Sequence, residues 1–198
     1  MNRYRAVYST LALLAVMSLI AAVPQQTFAQ TEKGNPKTIA ERYNLGLSML
    51  EQKKNSEALD LFLEVKQSLD KADRAARPAV PSEYQIQLAL GRAHLGLKQY
   101  DAAWKNIESA RKENGTSSEV YMYRGVYYLE QGKHEEAAKD LEKAISLDAN
   151  NAYAYYYSGL AYYRMGNGKK AAEDLGTFIK MAPNAPEVEK AEEIRNLC

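Results

Sequence analysis

The chain holds two histidines and one cysteine, and none is placed for catalysis. His134-Glu135-Glu136-Ala137-Ala138 comes nearest to a zinc-binding helix. Such a helix needs a second histidine four residues on, one turn along the same face, and alanine stands there. His94 has no partner histidine, and Glu192-Glu193 lies among other charges on a helical pattern, as a solvated face does. No phosphate-cradling glycine loop, cysteine cluster or nucleophile elbow is present in the sequence. The expectation is a protein that is not an enzyme, with no catalytic residue, cofactor or metal. Cys198, the last residue, rules out an internal disulfide, so it either pairs with another chain or stays a free tail thiol.

What remains is chemistry of contact, and a repeat positions it. Gly46, Gly91, Gly125 and Gly159 each stand twelve residues before an alanine: Ala58, Ala103, Ala137 and Ala171. From Gly91 onward the period is 34 residues. A fixed period of this size marks helix pairs stacked into a solenoid, because one pair cannot bury its apolar face alone. Glycine costs about 1 kcal/mol inside a helix, so four in equivalent places imply close packing. Gly132, Asn114-Gly115, Asn150-Asn151, Gly166-Asn167-Gly168 and Pro183-Asn184 punctuate the elements as turns.

The pattern resembles the tetratricopeptide repeat family, with units beginning at Ile39, Tyr84, Ser118 and Ala152. The fourth unit carries Tyr155, Gly159, Tyr162, Ala171, Leu175 and Pro183 where the family has its signature residues. The third carries Tyr121, Gly125, Tyr128, Ala137, Leu141 and Ala144. The second keeps Leu90-Gly91, Ala103, Ile107 and Ala110 but has Gln87 and His94 in aromatic positions. The first keeps Leu45-Gly46, Ala58 and Phe62, with Arg42 and Met49 as departures. The resemblance implies an all-α, right-handed superhelical solenoid of antiparallel helix pairs, with units at 39–72, 84–117, 118–151 and 152–185. An insertion falls at 73–83, where the stripe Leu61, Val65, Leu69, Ala72 and Ala76 predicts a longer helix ending near Arg77, then a linker stiffened by Pro78 and Pro81. A capping helix is expected over 186–198, with Val188, Ala191 and Ile194 on its inner side.

The resemblance also implies a concave groove lined by the first helix of each unit. Positions 5, 9 and 12 of those helices read Tyr43, Leu47, Leu50; Leu88, Arg92, Leu95; Met122, Val126, Leu129; and Tyr156, Leu160, Tyr163. All but Arg92 are apolar or aromatic, and Tyr153 adds a ring at position 2 of the last unit. The expected partner-binding residues are Tyr43, Leu88, Arg92, Met122, Val126, Tyr153, Tyr156, Leu160 and Tyr163. The Lys and Asn that clamp a terminal carboxylate in co-chaperone members of the family are missing from every unit. So much apolar surface exceeds what a soluble monomer leaves bare. It is filled by a partner's helix or peptide, by tight helix packing, or by the tail from Gln30 to Thr38.

Arg3 and Arg5, the uncharged stretch Ala6–Val23, Pro24 and Thr27-Phe28-Ala29 read as a signal peptide over residues 1–29, followed by a tail to Thr38. Export to the periplasm or outside the cell is expected. The alternative is an uncleaved anchor with the repeats outside the cytoplasm, touching the membrane only through this segment. Lys plus Arg number 26 against 25 acids, which excludes the cationic footprint of a nucleic-acid binder. The function read from the sequence is an exported adaptor or scaffold for a protein or peptide partner. The alternative is a self-assembling structural protein, dimeric through the groove or Cys198, or an accessory subunit of an envelope complex.

Overall fold

The computed structural model describes residues 38–71 and 81–198. The expected signal segment, the tail before Thr38 and residues 72–80, which hold the expected helix end near Arg77, lie outside the described residues. Among the described residues every regular element is an α-helix: α1 (Ile39–Glu51), α2 (Asn55–Lys71), α3 (Glu83–Gly96), α4 (Tyr100–Glu113), α5 (Ser118–Glu130), α6 (His134–Leu147), α7 (Ala152–Arg164), α8 (Gly168–Met181) and α9 (Val188–Leu197). They pack as the pairs α1/α2, α3/α4, α5/α6 and α7/α8, each pair resting on the next, with α9 on α8. The odd-numbered helices of successive pairs also touch directly.

Local chemistry starts these helices. Thr38 Oγ1 accepts from the Glu41 N–H at 3.1 Å while Glu41 accepts from the Thr38 N–H at 3.0 Å, a capping box that occupies two otherwise orphaned donors. Asn151 and Asn167 cap α7 and α8 through Oδ1, each accepting at 3.2 Å from the N–H three residues on. Ser118 Oγ donates to the Ala144 carbonyl at 2.8 Å and accepts from Asn151 Nδ2 at 2.9 Å. One hydroxyl therefore ties the start of the third unit to the start of the fourth.

The repeated glycines make room for one particular neighbour. A Cβ on Gly46 would lie 2.5 Å from Phe62, on Gly91 2.7 Å from Ile107, on Gly125 2.6 Å from Leu141 and on Gly159 2.6 Å from Leu175. Each time the neighbour stands sixteen residues on, and Phe62, Ile107, Leu141 and Leu175 are all fully buried. The four alanines Ala58, Ala103, Ala137 and Ala171 are fully buried too. Ala191 and Ile194 of α9 close the far end over Leu175 and Phe178.

The turn inside each pair is built the same way four times. Lys53, Lys98, Gly132 and Gly166 hold equivalent positions, all left-handed, with φ of 59°, 57°, 71° and 76°. In each, the next residue's N–H reaches back 2.9 Å to the carbonyl five residues earlier, as in Lys54 to Met49 and Lys133 to Tyr128. Glycine takes this conformation freely, whereas a lysine there costs about 1 kcal/mol or more.

Candidate binding groove

Two clefts run along the odd-numbered helices and merge. One of about 380 Å³ is lined by Leu50 of α1, Arg92 and Leu95 of α3, Tyr123 and Val126 of α5, and Tyr157 of α7, with Lys98 at its edge. The other, about 610 Å³, is lined by Val126, Leu129, Leu160 and Arg164, by Lys53 from the first turn, and by Glu187 and Lys190 beside α9. Val126, Glu130 and Tyr157 border both, so the surface is continuous.

The expected groove residues divide into three sets. Arg92, Val126 and Leu160 are partly exposed and line the clefts. Tyr153 and Tyr163 are exposed at 36% and 37% but lie outside both clefts, Tyr153 donating its hydroxyl to Glu187 at 2.9 Å. The position-5 residues Tyr43, Leu88, Met122 and Tyr156 are core instead, only 4–8% exposed. Each points into the seam with a neighbouring helix. Tyr43 packs on Phe62 with ring centroids 5.7 Å apart, Leu88 clusters with Ala110 and Val120, and Met122 lies with Ala144 and Ala154. Tyr156 packs against Phe178 with ring centroids 4.9 Å apart, and it also borders the second cleft. Position 5 lies one step around the helix from the core stripe, and the next helix over decides which side it faces.

Tyr123 and Tyr157, at position 6, form the floor in their place. Arg92 sits over the Tyr123 ring at 4.9 Å, a cation–π contact that holds the guanidinium in the cleft. Burial raises the Tyr123 and Tyr157 hydroxyls above their ordinary range, and burial together with Glu187 pushes Tyr153 up to about 12. The rings therefore stay neutral at physiological pH, and each hydroxyl keeps its proton.

A second arrangement escaped the sequence reading. Arg124 donates two bonds to Asp140, at 2.9 and 3.1 Å, and reaches Glu108 at 3.3 Å, while its guanidinium lies 5.4 Å over Tyr121. At the same place in the fourth unit Ser158 donates to Asp174 at 2.7 Å. The signal was present: position 7, leucine in the first two units, turns polar in the last two, and an aspartate follows sixteen residues on both times. Burial raises the Asp174 carboxyl above its ordinary 3.8, partly countered by the Ser158 hydroxyl. A raised folded-state value means that the charged form costs stability. The cost is absent below the unfolded value and grows as pH rises through the folded one. Asp174→Asn, which keeps an oxygen for Ser158, is expected to raise the melting temperature at pH 7, with the gain disappearing at pH 3.

Among the described residues no three His, Cys, Asp or Glu side chains gather to hold a metal, and no helix is long and apolar enough to cross a membrane. His94 Nδ1 lies 2.7 Å from Gln99, a local contact at a turn. Cys198 is exposed, its thiol donating to the Ile194 carbonyl at 3.2 Å.

Family models described as TPR repeat and as tetratricopeptide repeat match residues 125–166 and 153–185. The same helix pairing, with glycine against the residue sixteen on, extends back to Ile39. The chain carries tetratricopeptide repeats. Among solved structures, the thermophilic TPR protein TTC0263 of Thermus thermophilus is similar over 95% of both chains, at a TM-score of 0.66 and 17% identity. The Arabidopsis OM64 TPR domain is 26% identical over 59% of this chain and 97% of its own, at a TM-score of 0.54. YrrB, described as a TPR protein with an unusual peptide-binding site, is 21% identical over 79% of this chain and 75% of its own, also at 0.54. No curated protein matches the sequence. Tetratricopeptide repeats are in general interaction modules rather than enzymes.

Proposed function

We propose that this tetratricopeptide-repeat protein is an exported adaptor that holds an extended or helical segment of a partner protein in its merged clefts. The continuity of the two clefts carries the reading. Leu50, Leu95, Val126, Leu129 and Leu160 give one apolar strip across four repeats, with neutral tyrosine hydroxyls beside it. Apolar pockets give affinity and a few fixed polar groups give register, which is how grooves take amphipathic segments. That YrrB is described as having a peptide-binding site supports the use of such a fold for this purpose. Export rests on the charged start, the apolar stretch and the Thr27-Phe28-Ala29 site.

Crosslinking and pull-down from the native envelope tests the reading. The intact protein should retain a discrete partner, and Leu160→Asp should lose it, because a charged side chain replaces an apolar contact of the strip and must shed its water on binding. Leu160 is only partly buried, so this variant should keep its fold by circular dichroism. Retention of the same partner by a folded Leu160→Asp protein would rule the groove out.

A further inference from the structure

The groove is apolar along its length but not neutral at its edges. Lys53, Lys98, Arg92, Arg164 and Lys190 line it, and none forms an ion pair among the described residues. Its two carboxylates are already engaged: Glu130 accepts from the Tyr100 hydroxyl at 3.1 Å and Glu187 from Tyr153 at 2.9 Å. The whole chain is close to neutral, so this local excess of positive charge is a property of the site.

Two of the five cations occupy places where lysine is costly. Lys53 and Lys98 take the left-handed turn position that is glycine in the third and fourth repeats, with the same hydrogen bonds around it. Replacement by glycine would relax the backbone, and neither side chain has a hydrogen bond or ion pair among the described residues to offset the strain. Strain kept at a cleft points to use of the side chain there.

We infer that the occupant of the groove is an acidic polypeptide segment, its apolar residues on the leucine strip and its side-chain carboxylates paired with Lys53, Lys98, Arg92, Arg164 and Lys190. The inference rests on the groove reading above and adds the charge of the partner. The protein's own tail is a poor fit, because Gln30–Lys37 carries two lysines and one glutamate. A nucleic acid suits the site less well, because its strip is aliphatic and the chain lacks an overall basic charge.

The test uses the full chain with a photocrosslinking residue at Val126 and three short fluorescent peptides in which leucine alternates with glutamate, glutamine or lysine. The glutamate peptide should bind tightest, weaken with added salt and crosslink at Val126. Lys53→Gly with Lys98→Gly should raise the melting temperature while weakening that peptide about three- to tenfold. Lys53→Gln with Lys98→Gln, which removes charge but keeps the strained turn, should weaken it equally without the thermal gain. Equal binding of the three peptides, lost in Leu160→Asp, would overturn the acidic selectivity and leave the groove reading standing. Binding of none of them would overturn the inference, while the envelope pull-down judges the groove separately. Tighter binding of a single-stranded oligothymidylate, or a Val126 crosslink to residues 30–37 or to a second copy, would reassign the occupant.

Discussion

Phe178→Ala is expected to destabilise the protein by about 3–5 kcal/mol, the range for deleting a fully buried aromatic ring. Phe178 is completely buried, with Tyr156 at 4.9 Å and Tyr153 at 5.6 Å between ring centroids, and Leu175, Ala191 and Ile194 fill the same cluster. Its loss opens a cavity where α7, α8 and α9 meet, and the anchorage of α9 goes with it. Tyr163→Ala removes a ring that is 37% exposed and should cost clearly less, about 1–2 kcal/mol. Urea unfolding monitored by circular dichroism separates the two. Similar midpoints would show that the last repeat is not packed as described.

Gly125→Ala is the second large effect, about 1–3 kcal/mol from overpacking. The added carbon would lie 2.6, 2.9 and 3.1 Å from three side-chain carbons of Leu141, its three nearest neighbours. The strain therefore belongs to one removable side chain. Leu141→Ala alone costs about 2–5 kcal/mol, and the double variant should cost clearly less than the sum. At Gly159 the third neighbour is the Leu175 backbone N at 3.2 Å, so truncating Leu175 should rescue Gly159→Ala less completely. A strictly additive cycle at Gly125 would show that the glycine is there for another reason.

The repeat was legible because it depends on short-range steric rules. Four glycines, each twelve residues before an alanine, can be read from spacing alone, whereas the large residue sixteen positions on that each glycine faces is given by the packing. The groove was legible only in part. Arg92, Val126 and Leu160 fall where helix rotation places them, but Tyr43, Leu88, Met122 and Tyr156 border the core stripe. Their side of the helix is decided by the neighbour that arrives next, a tertiary fact absent from a helical wheel. The Arg124–Asp140 and Ser158–Asp174 pairs needed two departures from the pattern to be compared with each other. Lys53 and Lys98 needed backbone angles, since nothing in a lysine's identity marks it as standing where a glycine would be relaxed.

The way the pairs stack also bears on how the chain acquires its shape. Every substantial helix contact joins an element to the next one or the next but one. Among the described residues no distant segments must find each other, so little loop-closure entropy stands in the way, and topology of this kind folds fast. Any adjacent pair can act as the starting point, and order spreads to its neighbours. The first repeats can close while the last is still being made, which suits a polypeptide that emerges one end first.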